Sequence, residues 1–289
     1  VGAGLGRNTA VSRLGPEERM TSHQGNRTPG RTLAAVREKG PLVHNITNLV
    51  AMDLAANLLL AVGASPAMAH AEDEVADFVS LASALTINTG TFTRSWMKAA
   101  VLAAEQAGKG GTPWVLDPVG CGATEFRLAN ATRLAGMSPS IIRGNASEIA
   151  ALAEVSPGRA GGKGVDSTLT PEAVLEPARE LARSSKAVVV VTGEVDVVTD
   201  GQKVRRVGGG HSFFTRVTAA GCALTALTGA AAAVEEDYML AALHALAIMA
   251  VAGERAARRA EGPGSFRVAL LDTLYRLDPA ELDREARIS

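Results

Sequence analysis

Four stretches of the chain end a β-rich run in polar or glycine-containing residues. They are Thr86-Ile-Asn-Thr-Gly90, Val115-Leu-Asp-Pro-Val-Gly120, Ile142-Arg-Gly-Asn-Ala-Ser-Glu148 and Val191-Thr-Gly-Glu194. In open α/β sheets ligands bind beyond the carboxyl ends of the strands. One site is therefore expected to gather Asn88, Asp117, Arg143, Asn145, Glu148 and Thr192. Asp117 and Glu148 are hard oxygen donors suited to Mg²⁺. Arg143 offers a planar fork for phosphate oxygens, and Thr192 is followed by Gly193, whose backbone a phosphate can approach closely. Asn145 also has a local reading, as the N-cap of a helix over Ala146 to Glu154.

A fifth segment, Thr218-Ala-Ala-Gly-Cys222, opens the longest expected apolar helix. The N–H groups of Ala220, Gly221 and Cys222 at a helix start make an anion site. Cys222 in that first turn is expected to have a thiol pKa below its usual ~8.5. Standard phosphate loops are absent. Gly162-Lys163 is followed by Gly164, which breaks the P-loop pattern, and Gly120-Cys-Gly122 has Glu125 where a dinucleotide fingerprint needs its third Gly.

Elements that would hold these residues follow from periodicity. Helices are expected over Thr32–Glu38, Val50–Val62, Asp73–Ser83, Ser95–Gln106, Ala146–Glu154, Pro171–Ser184 and Val268–Leu277. Strands are expected over Leu85–Asn88, Trp114–Asp117, Ser140–Arg143 and Ala187–Thr192, with a hairpin turning at Asp200-Gly201. Such alternation predicts an α/β fold with a mainly parallel central sheet and helices on both faces. Residues 1–30 lack an apolar signal core and read as a disordered tail; residues 31–289 read as a single domain.

Composition narrows the function. Hydrophobic residues make up 47% of the 289, so the chain can build a core. Aromatics are only 3%, which leaves that core to Ala, Val, Leu and Ile. The 29 basic and 30 acidic side chains give no basic footprint for nucleic acid. Cys121 and Cys222 are too few for a disulfide framework, which suits a reduced, cytoplasmic protein. Val217–Val234 and Met239–Gly253 are apolar, but their Ala, Gly and Thr content and His244 fit two buried helices better than membrane spans.

Six segments in order carry a resemblance. They are Pro41-Leu-Val-His-Asn-Ile-Thr-Asn48, Gly63-Ala-Ser-Pro-Ala-Met68, Leu116-Asp-Pro-Val-Gly120, Arg143-Gly-Asn-Ala-Ser-Glu148, Val191-Thr-Gly-Glu-Val-Asp196 and Glu261-Gly-Pro-Gly-Ser-Phe266. Together they resemble hydroxyethylthiazole kinase, a family of the ribokinase-like superfamily, over about residues 32 to 277. The resemblance implies transfer of the ATP γ-phosphate to the primary alcohol of 4-methyl-5-(2-hydroxyethyl)thiazole, a salvage step toward thiamine. It implies a homotrimer with thiazole pockets at subunit interfaces. Asn48, Val50, Met68 and Ala219 would meet the thiazole. Arg143, Thr192 and Asn145 would serve ATP, and Asp117 and Glu148 would hold Mg²⁺. Ala220, Gly221 and Cys222 would form the catalytic turn, with Cys222 where related kinases carry an Asp base.

The chain departs from the family at Ala219-Ala220, where Gly is usual at the first position, and at Arg216, often Lys. Ala51-Met-Asp-Leu-Ala55 also differs, and Asp53 there needs a partner or solvent. Other kinases or dehydratases of the superfamily would carry Asp at Cys222. A non-catalytic thiazole or nucleotide binder would have no need of the Asp117–Glu148 pair.

Overall fold

Thr28 accepts a hydrogen bond from the Arg31 N–H, and Pro29 opens the first helix, α1 (Pro29–Lys39), which Gly40 ends in the left-handed region. The computed structural model describes residues 27–155 and 169–289. Most of the expected tail, and the Gly162-Lys163-Gly164 segment, lie outside the described residues. Residues 27–30 belong to the folded part: Arg27 pairs with Glu235, and Thr28 and the Gly30 N–H bond to Asp283.

The chain continues through β1 (Leu42–Ile46), α2 (Met52–Ala61), β2 (Ser65–Ala67), α3 (Val75–Leu81), β3 (Ala84–Asn88), α4 (Arg94–Gly110), β4 (Trp114–Asp117), α5 (Glu125–Ala135), β5 (Ile141–Asn145) and α6 (Ala146–Glu154). Then follow α7 (Leu175–Ser185), β6 (Val188–Thr192), β7 (Val195–Thr199), β8 (Val204–Gly208), α8 (Ala220–Ala232), α9 (Tyr238–Ala257), α10 (Pro263–Arg276), α11 (Pro279–Glu285) and β9 (Arg287–Ile288). The strands among the described residues join one sheet in the order β2-β1-β3-β4-β5-β6-β7-β8-β9. The pairs from β2 to β6 are parallel, and β7, β8 and β9 add antiparallel.

Alternation along the strands feeds two cores. Val115, Ile141, Val188, Val190 and Val198 face α1, α2 and the helices from α8 onward. Trp114, Leu116, Ile142, Val189, Val191 and Val197 face α3 to α7. Apart from the edge strand β2, the parallel strands are mostly buried on both faces. The helix α9 is long and apolar enough to cross a membrane, yet 78% of that stretch is buried inside the protein. With α8 it forms the middle of the first core, as two buried helices were expected to do. Close helix–sheet approach depends on Gly229, where an added Cβ would lie 2.7 Å from the Thr86 methyl.

Several expectations shift. β1 and β2 were not read from the sequence. β1 buries His44 and Asn45 among apolar neighbours, so its pattern is broken. β2 is a three-residue edge strand containing Pro66, a residue tolerated only at an edge. α5 has a polar sequence, though Thr124 at its N-cap signals it. The last expected helix begins five residues earlier, at Pro263. Asp53 is exposed and paired with Arg267. His244 is buried and bonds to Thr32 at 2.7 Å, a structural role. Arg255 ties α9 to Glu281 and Glu285 of α11.

Candidate active site

Parallel register carries the polar strand ends to one level. Asn88 lies opposite Asp117 across β3–β4, and Asn145 opposite Thr192 across β5–β6. Asp117 is fully buried, and its Oδ2 accepts hydrogen bonds from Asn88 Nδ2 and Thr225 Oγ1, both at 2.7 Å. The nearest cation is Arg143, whose Nη1 stands 3.7 Å from the same oxygen. Asp117 Oδ1 has no partner. Burial, opposed by Arg143 but reinforced by the charge of Glu148, lifts the Asp117 pKa from 3.8 to about 6.

Arg143 is also nearly buried. Its Nη2 donates to Thr192 Oγ1 at 3.0 Å, and that hydroxyl donates to the Gly144 carbonyl at 3.2 Å. The guanidinium lies against the start of α8: a Cβ at Gly221 would sit 3.0 Å from both terminal nitrogens. Arg143 Nε makes no hydrogen bond. A buried cation with spare donors beside a helix N-terminus is a place for an anion.

Glu148 closes a capping box on α6. Its Oε2 accepts from the Asn145 N–H at 2.8 Å, and Asn145 Oδ1 accepts from the Glu148 N–H at 2.9 Å. The other oxygen, Oε1, holds the Gly120 N–H at 2.8 Å and so ties the β4 loop to α6. Asn145 is thus spent on its helix cap, with Ser147 also donating to its Oδ1 at 2.7 Å; the capping reading holds, and its side-chain oxygen has little left for a nucleotide.

Cys222 meets the network from above. Asn48 Nδ2 donates to its Sγ at 3.2 Å and to Asn88 Oδ1 at 2.9 Å. Asn48 Oδ1 accepts from the Val50 and Ala51 N–H groups, which fixes the entry to α2. A chain of contacts therefore runs Cys222–Asn48–Asn88–Asp117–Thr225. The expected low thiol pKa is corrected: burial and the Asp117 charge push Cys222 upward despite the helix start. The anion turn is also smaller than expected. The Ala220 N–H points to the Val217 carbonyl at 3.4 Å, which leaves Gly221 and Cys222 with N–H groups free of backbone partners.

Ala219 caps α8 at φ 65°, ψ 5°, in the left-handed region. A Cβ there is strained against the following carbonyl. Ala219→Gly is expected to raise stability by about 0.5–1 kcal/mol, the relief of that strain less the entropy glycine adds to the unfolded chain. Thermal unfolding checks it; an unchanged or lower Tm would contradict the strain.

Val50 is exposed, and Met68 is half-buried on the segment after β2. Sequence reading missed two positioning groups. Thr225 sits one helical turn beyond Cys222, a spacing that marks it in hindsight. Arg127 on α5 donates to the carbonyls of Val119 (2.9 Å) and Gly90 (2.6 Å), stapling the loops after β3 and β4. It has no local sequence signal. Among the described residues no cluster of three or more His, Cys, Asp or Glu could hold a metal. Asp117 and Glu148 would thus need water and ligand oxygens to complete a coordination shell.

The hydroxyethylthiazole kinase family model matches residues 33–280. A hydroxyethylthiazole kinase of Rhizobium rhizogenes is 51% identical over 262 residues, covering 90% of this chain and 97% of that protein. One from Cereibacter sphaeroides is 50% identical over 259 residues, with 90% and 97% covered. The structure of the hydroxyethylthiazole kinase protein from Pyrococcus horikoshii superposes with a TM-score of 0.83 at 41% identity, over 90% of this chain and 98% of that one. Pyridoxal kinase from Staphylococcus aureus shares the fold, with a TM-score of 0.58 at 15% identity and 74% and 88% covered.

Proposed function

The chain belongs to the hydroxyethylthiazole kinase family, and on that premise we propose that it transfers the ATP γ-phosphoryl group to the primary alcohol of 4-methyl-5-(2-hydroxyethyl)thiazole. The observation that carries this reading is the buried Asp117–Arg143 pair beside the free N–H groups of Gly221 and Cys222. Phosphoryl transfer has a loose transition state, so positioning and charge neutralisation do most of the work. Arg143 and the two N–H groups face the charge that develops on the transferring phosphoryl. Thr192 holds the guanidinium plane in place.

Mg²⁺ fits the donor set. Asp117 presents a buried oxygen without a partner, and its pKa is raised chiefly by burial and further by the charge of Glu148 nearby. When bound, the ion would neutralise phosphate charge as a Lewis acid. Asp117 and Glu148 would hold it.

Asn48, Val50, Met68 and Ala219 are assigned to the thiazole. Leu49 and Val50 stand 66% and 58% exposed at the mouth of the site. We assign them to a contact with a second copy; the sequence resemblance implies a homotrimer, and light scattering would report three chains per particle. Both thiols are free, which suits the reducing cytoplasm.

Cys222 is a poor base. Its thiol is pushed up and accepts from Asn48, so it orients the hydroxyl rather than deprotonating it. In an ADP-release assay with the product checked by mass, Cys222→Ser should stay within ~10-fold of the parent kcat, and Cys222→Ala should lose less than the 10²–10⁴-fold typical of removing a general base. Total loss in Cys222→Ser, with both ligands still bound, would restore the thiol as base. An inactive parent that still binds thiazole would instead favour a binding protein.

A further inference from the structure

His44 is a core residue that a purely structural core would not choose. It lies on β1, fully buried, with its ring 5.5 Å from Phe78 of α3. Its Nδ1 has no hydrogen-bond partner. Burial lowers its pKa, so the neutral ring donates from Nε2, and the Ala69 carbonyl accepts at 2.8 Å. The unpaired Nδ1 is a standing cost. A leucine of similar size would avoid it and pack against Phe78.

What the cost secures is the backbone beside Met68. β2 contributes only three residues to the sheet edge, and its ladder with β1 ends at the His44–Ala67 pair. Outside that ladder, no backbone–backbone hydrogen bond among the described residues reaches Met68, Ala69 or His70. Side chains hold the segment instead. His44 takes the Ala69 carbonyl, Asn45 Nδ2 reaches the Ala67 carbonyl at 3.5 Å, and the His70 ring packs tilted against Trp96 with centroids 4.4 Å apart. The contact from His44 is the shorter of these two hydrogen bonds.

We propose that His44 is a positioning residue that fixes Met68 for the thiazole by holding the Ala69 carbonyl from beneath. This rests on the assignment of Met68 to the substrate. The test compares His44→Leu with His44→Gln, because a glutamine amide can reach the Nε2 position and donate to the same carbonyl. His44→Leu should keep or raise the Tm, raise the thiazole KM about tenfold, and leave the ATP KM and saturated kcat within twofold. His44→Gln should restore the thiazole KM to within about threefold of the parent. NMR order parameters of the Ala69 and His70 backbone in the free protein should fall in His44→Leu and not in His44→Gln. An unchanged thiazole KM in His44→Leu, or equal damage in both variants, would overturn the proposal. The order parameters read the anchoring itself, so they decide that part even if the parent proves to act on another alcohol.

Discussion

Asp117→Asn is expected to fold at least as well as the parent and to lose turnover by about 10²–10³-fold, the scale of losing one charge-stabilising group at a reacting centre. The two halves of this expectation have one cause. Asp117 is fully buried and its carboxyl is raised to about 6, so ionisation there is disfavoured by the fold. Asparagine keeps the shape and can orient its amide to Asn88 and Thr225 without carrying charge into the interior. It cannot neutralise Mg²⁺. The sign with pH follows from linkage. The folded pKa lies above the unfolded 3.8, so the native state binds the extra proton between about 4 and 6. The Asp117 contribution to stability is full below 3.8 and is lost as pH rises through about 6. Activity runs the other way: kcat/KM should fall as pH drops through about 6, because the ionised carboxylate is the form that works. A pH series of kcat/KM beside denaturant unfolding of parent and Asp117→Asn checks both. A flat acid side in the parent, or a variant that keeps its rate, would remove Asp117 from the chemistry.

Arg143→Gln is expected to be the more damaging to the fold. It leaves Asp117 buried without its nearest cation, and breaking a buried pair from one side typically costs about 3–5 kcal/mol. The cost should shrink at pH 5, where a carboxyl raised beyond its present value is protonated. Loss of the guanidinium also empties the space against Gly221 and frees Thr192, so the ATP KM should rise tenfold or more. The double variant Asp117→Asn, Arg143→Gln separates the effects. It should recover most of the lost stability, because no charge is then stranded, and recover none of the activity. Urea unfolding at pH 8 and pH 5 with initial rates against ATP measures this. Equal destabilisation at both pH values, or additive stabilities in the double variant, would mean that Arg143 acts by packing alone.

The local grammar of the chain established a good deal. Continuous Val runs in β6, the Asn145 cap, the Asp200-Gly201 turn and the alternation of strands with helices named the fold class, because burial on both faces leaves a pattern that neighbours alone can reveal. Polar residues at strand ends marked the candidate site for the same reason: Asp117 and Arg143 are costly in a core strand and meet in the fold. β1 and β2 were illegible, since His44 and Asn45 are polar yet buried and Pro66 sits on an edge that only the finished sheet defines. Arg127 was illegible because its partners, the Val119 and Gly90 carbonyls, come from two different loops.

The electrostatics belonged to the tertiary structure. From sequence, a cysteine in the first turn of a helix should be acidic; in the fold, burial and Asp117 outweigh the helix terminus. A helix start should offer three N–H groups; the turn from Val217 takes one. Residue types and their order are properties of the chain, and they determined which chemistry was available. Dielectric and charge–charge distance arise only when β4, β5 and α8 converge, and these decided how Asp117, Arg143 and Cys222 share that chemistry.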